Sequence, residues 1–257
     1  MKQLFGNKAY NVALTADDLV VAPTYSEVQE LHELLGFPWF TAPFDLNFGG
    51  IRNDEEEKSS VDGNEDEVLL LHENVFNDVI YLAWTDSQGE QYIKLWKGTT
   101  DPGFYWRQKP GRGTTKRGVV RGVGAIREGH HSQIYYPGMH GSRPALQQEQ
   151  KPVLVYRDNN LDKVLELDAK KTAKGWGFRF HYMGKHLEFV NKWSGGCNGS
   201  NDPGCVPFVL EMVQRQADEG HGSHVSYNMV RSSWFRDADF AKEDYEVISG
   251  YEVGKGI

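Results

Sequence analysis

The sequence predicts a β-dominated α+β protein. Short β-rich runs separated by turns fill its middle, two amphipathic helical stretches stand out, and helices do not alternate regularly with strands. That irregularity argues against a doubly wound parallel sheet. Twenty-eight glycines supply the turns that many short strands need. With 257 residues, 39% of them hydrophobic, the chain has material for one large core, or for one domain and an extension.

The first helix is expected over residues 26–36. Ser26 is a plausible N-cap, Val28, Leu31, Leu34 and Leu35 make one apolar face, and Gly36 stops it. Residues 53–67 are acidic and almost free of large apolar side chains, which reads as a surface loop. Strands are expected at 77–85, 91–97, 118–126, 152–156, 176–181, 187–190 and 225–230, with turns such as Ser87-Gln88-Gly89 and Asp101-Pro102-Gly103 between them. A second helix is expected over 206–218, ending at Gly220 and burying Val209, Met212 and Val213. This organises the chain as an N-terminal helical extension with its acidic loop (1–68), a β-dominated domain (69–240) and an acidic tail (241–257).

A formal net charge of -8 argues against a general nucleic-acid binder. Residues 107–127 carry seven Lys or Arg, which reads first as a solvated hairpin surface and second as a polyanion contact. No run resembles a signal peptide or approaches the roughly 18 apolar residues of a membrane span, so synthesis in the cytoplasm and no membrane partner are expected. Cys197 and Cys205 are then expected as reduced thiols, although a disulfide across the short loop between them is geometrically open.

The chemistry concentrates at Cys197 in Trp193-Ser194-Gly195-Gly196-Cys197, sixteen residues after His181 in Phe178-Arg179-Phe180-His181-Tyr182. The thiolate is the reactive form of cysteine, and a neighbouring imidazole both takes its proton and returns one to a leaving group. Glycines before a nucleophile allow a sharp turn and bring bare N–H groups near a reacting carbonyl. An active pair of this kind is expected to alkylate well below about pH 8.5, the ordinary thiol value.

These residues resemble the Ser-x-Gly-Cys signature of the L,D-transpeptidase (YkuD-type) cell-wall family, whose histidine lies a comparable distance upstream. The closer resemblance is to phage and prophage proteins related to that signature. It extends through Gly50-Ile51-Arg52, Phe76-Asn77-Asp78, Thr99-Thr100-Asp101-Pro102-Gly103, Gly138-Met139-His140-Gly141 and Tyr156-Arg157-Asp158-Asn159-Asn160. The resemblance implies an L,D-transpeptidase-like β-sandwich or mixed-sheet catalytic domain and cysteine acyl transfer on peptidoglycan stem peptides. Cys197 is then the nucleophile and His181 the base and acid. Ser194 orients the histidine or lines the site, and the N–H groups of Gly196 and Cys197 form the oxyanion hole. The chain departs from the family pattern at Tyr182, at Gly195, at Asn198-Gly199 and in the long stretch 198–204.

Other residues carry weaker signals. His140 sits in a turn-like setting, as a cleft or histidine-holding residue or as a plain turn histidine. Asp101 belongs first to a β-turn and second to a site that orients an imidazole. With Gly195, these two are the candidate substrate contacts. Asp158, Asn160 and Asp162 place oxygens at alternate positions, the start of a calcium loop that lacks its glycine and its final glutamate. His130, His131, His221 and His224 match no common zinc spacing, and Cys205 is a candidate resolving thiol. No cofactor is expected. The leading function is a phage-type peptidoglycan hydrolase of lysis or entry, an endolysin or virion enzyme with peptidoglycan and other virion proteins as partners. The alternative is a non-catalytic virion or wall-binding protein that displays aromatics such as Trp84, Trp96, Trp106, Tyr135 and Tyr136. A metal-dependent peptidase is a third.

Overall fold

A computed structural model describes residues 19–54, 74–107, 122–158, 167, 172–185 and 187–250. Helix α1 (Tyr25–Leu35) starts two residues earlier than Ser26 would place it, because Thr24 is the N-cap. Thr24 Oγ1 accepts from the Glu27 N–H at 3.3 Å, and the Glu27 carboxylate accepts from the Thr24 N–H at 2.7 Å. This reciprocal box satisfies two otherwise unpaired donors of the first turn.

Eleven strands follow among the described residues: β1 (Asn47–Arg52), β2 (Asp78–Thr85), β3 (Gln91–Thr99), β4 (Gly124–Ile126), β5 (Gly129–His140), β6 (Arg143–Gln148), β7 (Val153–Arg157), β8 (Thr172–Gly175), β9 (Phe180–Tyr182), β10 (Asn198–Ser200) and β11 (Val225–Arg231). The helices are the single turn α2 (Phe104–Arg107), α3 (Cys205–Asp218) and α4 (Ala238–Gly250), with a 3₁₀ turn at Ser232–Phe235. Eight strands close a barrel in the order β1-β11-β5-β6-β9-β10-β3-β2, and β4-β7-β8 form a small second sheet. The protein is therefore mixed α+β and strand-dominated, with a mixed sheet that closes on itself instead of facing a partner in a sandwich. No described helix is long and apolar enough to cross a membrane.

Alternation along the strands sorts side chains into two cores. Phe48, Ile80, Leu82, Leu146, Phe180 and Tyr227 point inward and meet Val206, Val209, Met212 and Val213 of α3. Ile51, Val79, Tyr81 and Val230 point outward and are covered by Val28, Leu31 and Leu35 of α1, by Trp234, and by Ala241 and Ile248 of α4. Two boundaries expected from the sequence move as a result. β1, within the segment read as an extension, lies between β2 and β11 in the barrel. The segment read only as an acidic tail contains most of α4, which packs on the outer core.

Other strands shift in smaller ways. Residues 187–190 make only an isolated bridge, Val75 to Phe189, and β9 begins at Phe180 rather than 176. β4 is confined to Gly124–Ile126, while residues 118–121 lie outside the described residues, as do 55–67 of the acidic stretch and 108–121 of the basic one. Tyr135 and Trp96, expected as display aromatics, are core residues instead, at 0% and 2% exposure.

Where β1, β2 and β11 reach the small sheet, the structure buries charge. Arg52 donates to Glu128 Oε1 at 2.6 Å and to the Ile126 carbonyl at 2.8 Å. Arg231 Nε lies 3.3 Å from the same carboxylate, and the Tyr156 hydroxyl donates to its other oxygen. Burial alone would raise the Glu128 pKa, but Arg52 and Arg231 hold it down at about 2. A buried pair stripped of one partner leaves an uncompensated charge, so Glu128→Gln should destabilise the fold by about 3–5 kcal/mol at neutral pH. Because the folded-state pKa is depressed, this stabilisation is present above the ordinary carboxylate range and lost as pH falls toward 2. Urea denaturation across pH should show the difference between Glu128→Gln and wild type shrinking on acidification; a pH-independent difference would contradict the ion-pair account.

Candidate functional site

β9 and β10 pair in parallel, with Asn198 opposite Phe180, Gly199 opposite His181 and Ser200 opposite Tyr182. A Cβ at position 199 would lie 2.0 Å from the His181 carbonyl oxygen, so this register requires glycine there. β6 pairs antiparallel with β9, placing Ala145 opposite His181, and β5 pairs with β6, placing His140 opposite Arg143. Phe180, Leu146 and Tyr135 face the inner core. His181, Ala145, Arg143 and His140 therefore share the outer face of the barrel.

Cys197 extends the same pattern one step before β10. Its neighbour Asn198 donates to the Arg179 carbonyl at 3.0 Å, and Cys197 packs with Trp193 against Phe76, Met183 and Val190 outside the barrel. Cys197 and His181 thus lie on one face of adjoining segments, two residues apart in register. Strand spacing and rise put their main-chain positions roughly 8 Å apart along this diagonal.

His181 Nδ1 lies 2.9 Å from the Tyr182 carbonyl, which can only accept, so Nδ1 carries the proton. Nε2 is buried without a hydrogen-bond partner among the described residues. Burial lowers the His181 pKa to about 4, with His140, Arg179 and Arg143 adding repulsion. The tautomer is the one a general base needs, with its lone pair on the bare nitrogen. The half-buried Cys197 donates its Sγ–H toward the Gly177 carbonyl at 3.8 Å rather than to His181. Burial pushes the thiol above its ordinary value, while a backbone hydrogen bond at Arg179 and the Arg179 charge pull the other way. Cys197 therefore rests as a thiol turned to the Gly177 carbonyl and His181 as a neutral imidazole, not as the low-pKa thiolate expected from the sequence.

Ser194 makes no hydrogen bond to His181 among the described residues. Its fully buried hydroxyl donates to the Cys197 carbonyl at 2.7 Å and accepts from the Gly196 N–H at 3.0 Å. Its own carbonyl accepts from Gly103 at 2.8 Å. Ser194 thus shapes the turn that carries the thiol. The Gly196 N–H, expected in an oxyanion hole, is engaged in that turn, whereas none of the described residues accepts from the Cys197 N–H. Gly196 has φ +131°, and a Cβ there would lie 2.3 Å from the Gly124 carbonyl oxygen. Gly195 lies against Trp106, 3.7 Å from where its own Cβ would be.

His140 is brought to His181, with ring centroids 4.6 Å apart and planes at 37°. Arg179 donates to His140 Nδ1 at 3.0 Å and to Gln147 Oε1 at 2.8 Å. Neither Arg179 nor Arg143 was among the residues singled out in the sequence. Arg179 had a signal, since a residue two before His181 on a strand shares its face. Arg143 had none, because its strand was not expected. Asp101 lies elsewhere, 3.3 Å from Arg52 in the buried charge cluster. Asp158 is buried, and Asn160 and Asp162 lie outside the described residues. His130 bonds Asn228, His131 the Arg127 carbonyl, His221 the Pro43 carbonyl and His224 Glu149. Cys205 is a free thiol in the inner core, on the opposite side of the sheet from Cys197.

The neutral resting pair makes a prediction. Iodoacetamide labelling of Cys197 in the free protein should rise with pH through a single step above the ordinary thiol value, because the thiolate is held back by burial. A rate already at its plateau at neutral pH would mean a preformed thiolate–imidazolium pair and overturn this description. Comparison of the chain with protein-family models, with curated proteins and with solved structures finds no match.

Proposed function

We propose that the chain is a cysteine acyl-transfer enzyme of bacterial peptidoglycan, with Cys197 as nucleophile and His181 as base and acid. One observation carries the chemistry. Cys197 and His181 share the outer face of adjacent parallel segments, and His181 presents a bare Nε2 because Nδ1 is tied to the Tyr182 carbonyl. The substrate class rests on the resemblance of Ser194-Gly195-Gly196-Cys197 and its surroundings to the L,D-transpeptidase-related phage proteins. An L,D-transpeptidase-like domain and action at the host wall, in lysis or from a virion, belong to the same proposal.

The Cys197 thiol turns to His181 and passes its proton to Nε2 as sulfur attacks an amide carbonyl of the stem peptide. The carbonyl oxygen takes the negative charge, with the Cys197 N–H as the donor at hand. His181 returns the proton to the departing amine, and the C–N bond breaks to leave a thioester on Cys197. Water, or an amine, then attacks the thioester and regenerates the thiol. Hydrolysis is the favoured outcome, since a phage gains by opening the wall. A second reading, a wall-binding or virion module without turnover, draws on the engagement of the thiol with the Gly177 carbonyl instead of His181.

Incubation with defined muropeptides, read by mass, separates the two. Wild type should release stem-peptide products, and Cys197→Ala should release none. His181→Ala should lose about 10²–10⁴-fold in rate, the usual range for a general acid–base group. Equal products from wild type and Cys197→Ala would remove the cysteine mechanism, and no products from either would favour the binding module.

A further inference from the structure

Two guanidinium groups flank the outer face on which Cys197 and His181 lie. Arg143 is two residues along β6 from Ala145, the partner of His181, and its guanidinium carbon lies 5.2 Å from the centre of the Trp193 ring. Arg179 is two residues before His181 and stands beside Cys197. It gives Nε to Gln147 and one terminal nitrogen to His140, which leaves its other terminal nitrogen unassigned. Neither arginine has a carboxylate partner among the described residues. By contrast, Arg52 and Arg231, in the buried charge cluster, are paired to Glu128. In a chain of net charge -8, two arginines on one small face with no described carboxylate partner make a local site of positive potential.

We propose that Arg143 and Arg179 form a carboxylate-binding pair, and that the Cys197 site takes acyl donors bearing a carboxylate close to the carbonyl under attack. The proposal deepens the reading of Cys197 and His181 as the reacting pair and rests on it. Arg179 offers a planar donor edge held in place by Gln147 and His140, the arrangement that suits a carboxylate. Arg143, solvent-exposed and braced on Trp193, supplies the second positive charge. Occupation of the pair has a further consequence for the chemistry. Both arginines oppose a positive charge on His181, as does His140. A bound carboxylate cancels that repulsion and lets the imidazole accept the thiol proton, so the donor helps to switch on its own nucleophile.

The test uses two alkylating probes of similar size and opposite demand, anionic iodoacetate and neutral iodoacetamide. In each, the Cys197 sulfur displaces iodide: the S–C bond forms, the C–I bond breaks, and the thiol proton passes to His181 or solvent. Labelling is mapped to Cys197 by peptide mass at one pH and low salt, and the ratio of the iodoacetate rate to the iodoacetamide rate is compared between proteins. Arg143→Gln changes an exposed hairpin residue and keeps the fold. It should lower the ratio at least about tenfold relative to wild type, the low end of electrostatic focusing. Arg143→Lys should retain most of it, and Arg179→Gln should lower it further. Raising the salt to ~1 M, where screening acts over about 3 Å, should collapse the wild-type ratio toward that of Arg143→Gln. Equal ratios in wild type and Arg143→Gln, or a wild-type ratio indifferent to salt, would overturn the carboxylate pair. The readout needs no turnover. Inert muropeptides with an intact charge preference would count against the wall enzyme alone, and active muropeptide cleavage with no charge preference would count against the pair alone.

Discussion

The parallel pairing of β10 on β9 is the constraint on which the rest depends. Three residue pairs close the barrel at this point, and the same pairs bring positions 181 and 197 onto one surface although sixteen residues separate them. A slip of one residue would send His181 into the apolar interior and Phe180 out. Gly199, pressed against the His181 carbonyl, and the turn held by Ser194 exclude such a slip. The residues that resemble a catalytic signature thus do two jobs. Cys197 carries a half-buried free thiol, while Ser194 and Gly196 build the turn that presents it.

The barrel divides labour between its faces. The inner face is apolar and is filled by aromatic residues and by α3. The outer face is closed by α1 and α4 on one side and carries the polar site on the other. The two cysteines illustrate the division, since Cys205 is sealed inside while Cys197 lies half-buried outside. Positive charge is handled differently at the two places. The buried Arg52 and Arg231 are balanced by Glu128, whereas Arg143 and Arg179 stand by the imidazole without a described counter-charge.

Much of this architecture was legible in the sequence where local chemistry is strong. α1 and α3 carry apolar faces at helical spacing, and β2, β3, β7 and β11 are rich in β-branched and aromatic residues. What the sequence does not display depends on distant partners. Asn47-Phe48-Gly49-Gly50-Ile51-Arg52 looks like a loop because of its two glycines, yet they stand where the Tyr81 ring and the Tyr227 hydroxyl cross the sheet. Gly129–His140 and Arg143–Gln148 are rich in polar residues and glycine or proline, and are strands because the barrel needs them to bridge β11 and β9. The candidate cysteine and histidine, and their place on one face, were legible from residue type and spacing. The absence of a thiol–imidazole bond and the companionship of His140, Arg143 and Arg179 were not, because pairing register alone creates them.

The most direct test of the account is the intact mass of the protein during reaction with a stem-peptide muropeptide, quenched in acid. The account predicts an adduct equal to the donor minus its leaving amine, mapped to Cys197 and released by hydroxylamine as a thioester would be. Product accumulation with the protein unmodified throughout, or an adduct on any other residue, would contradict it.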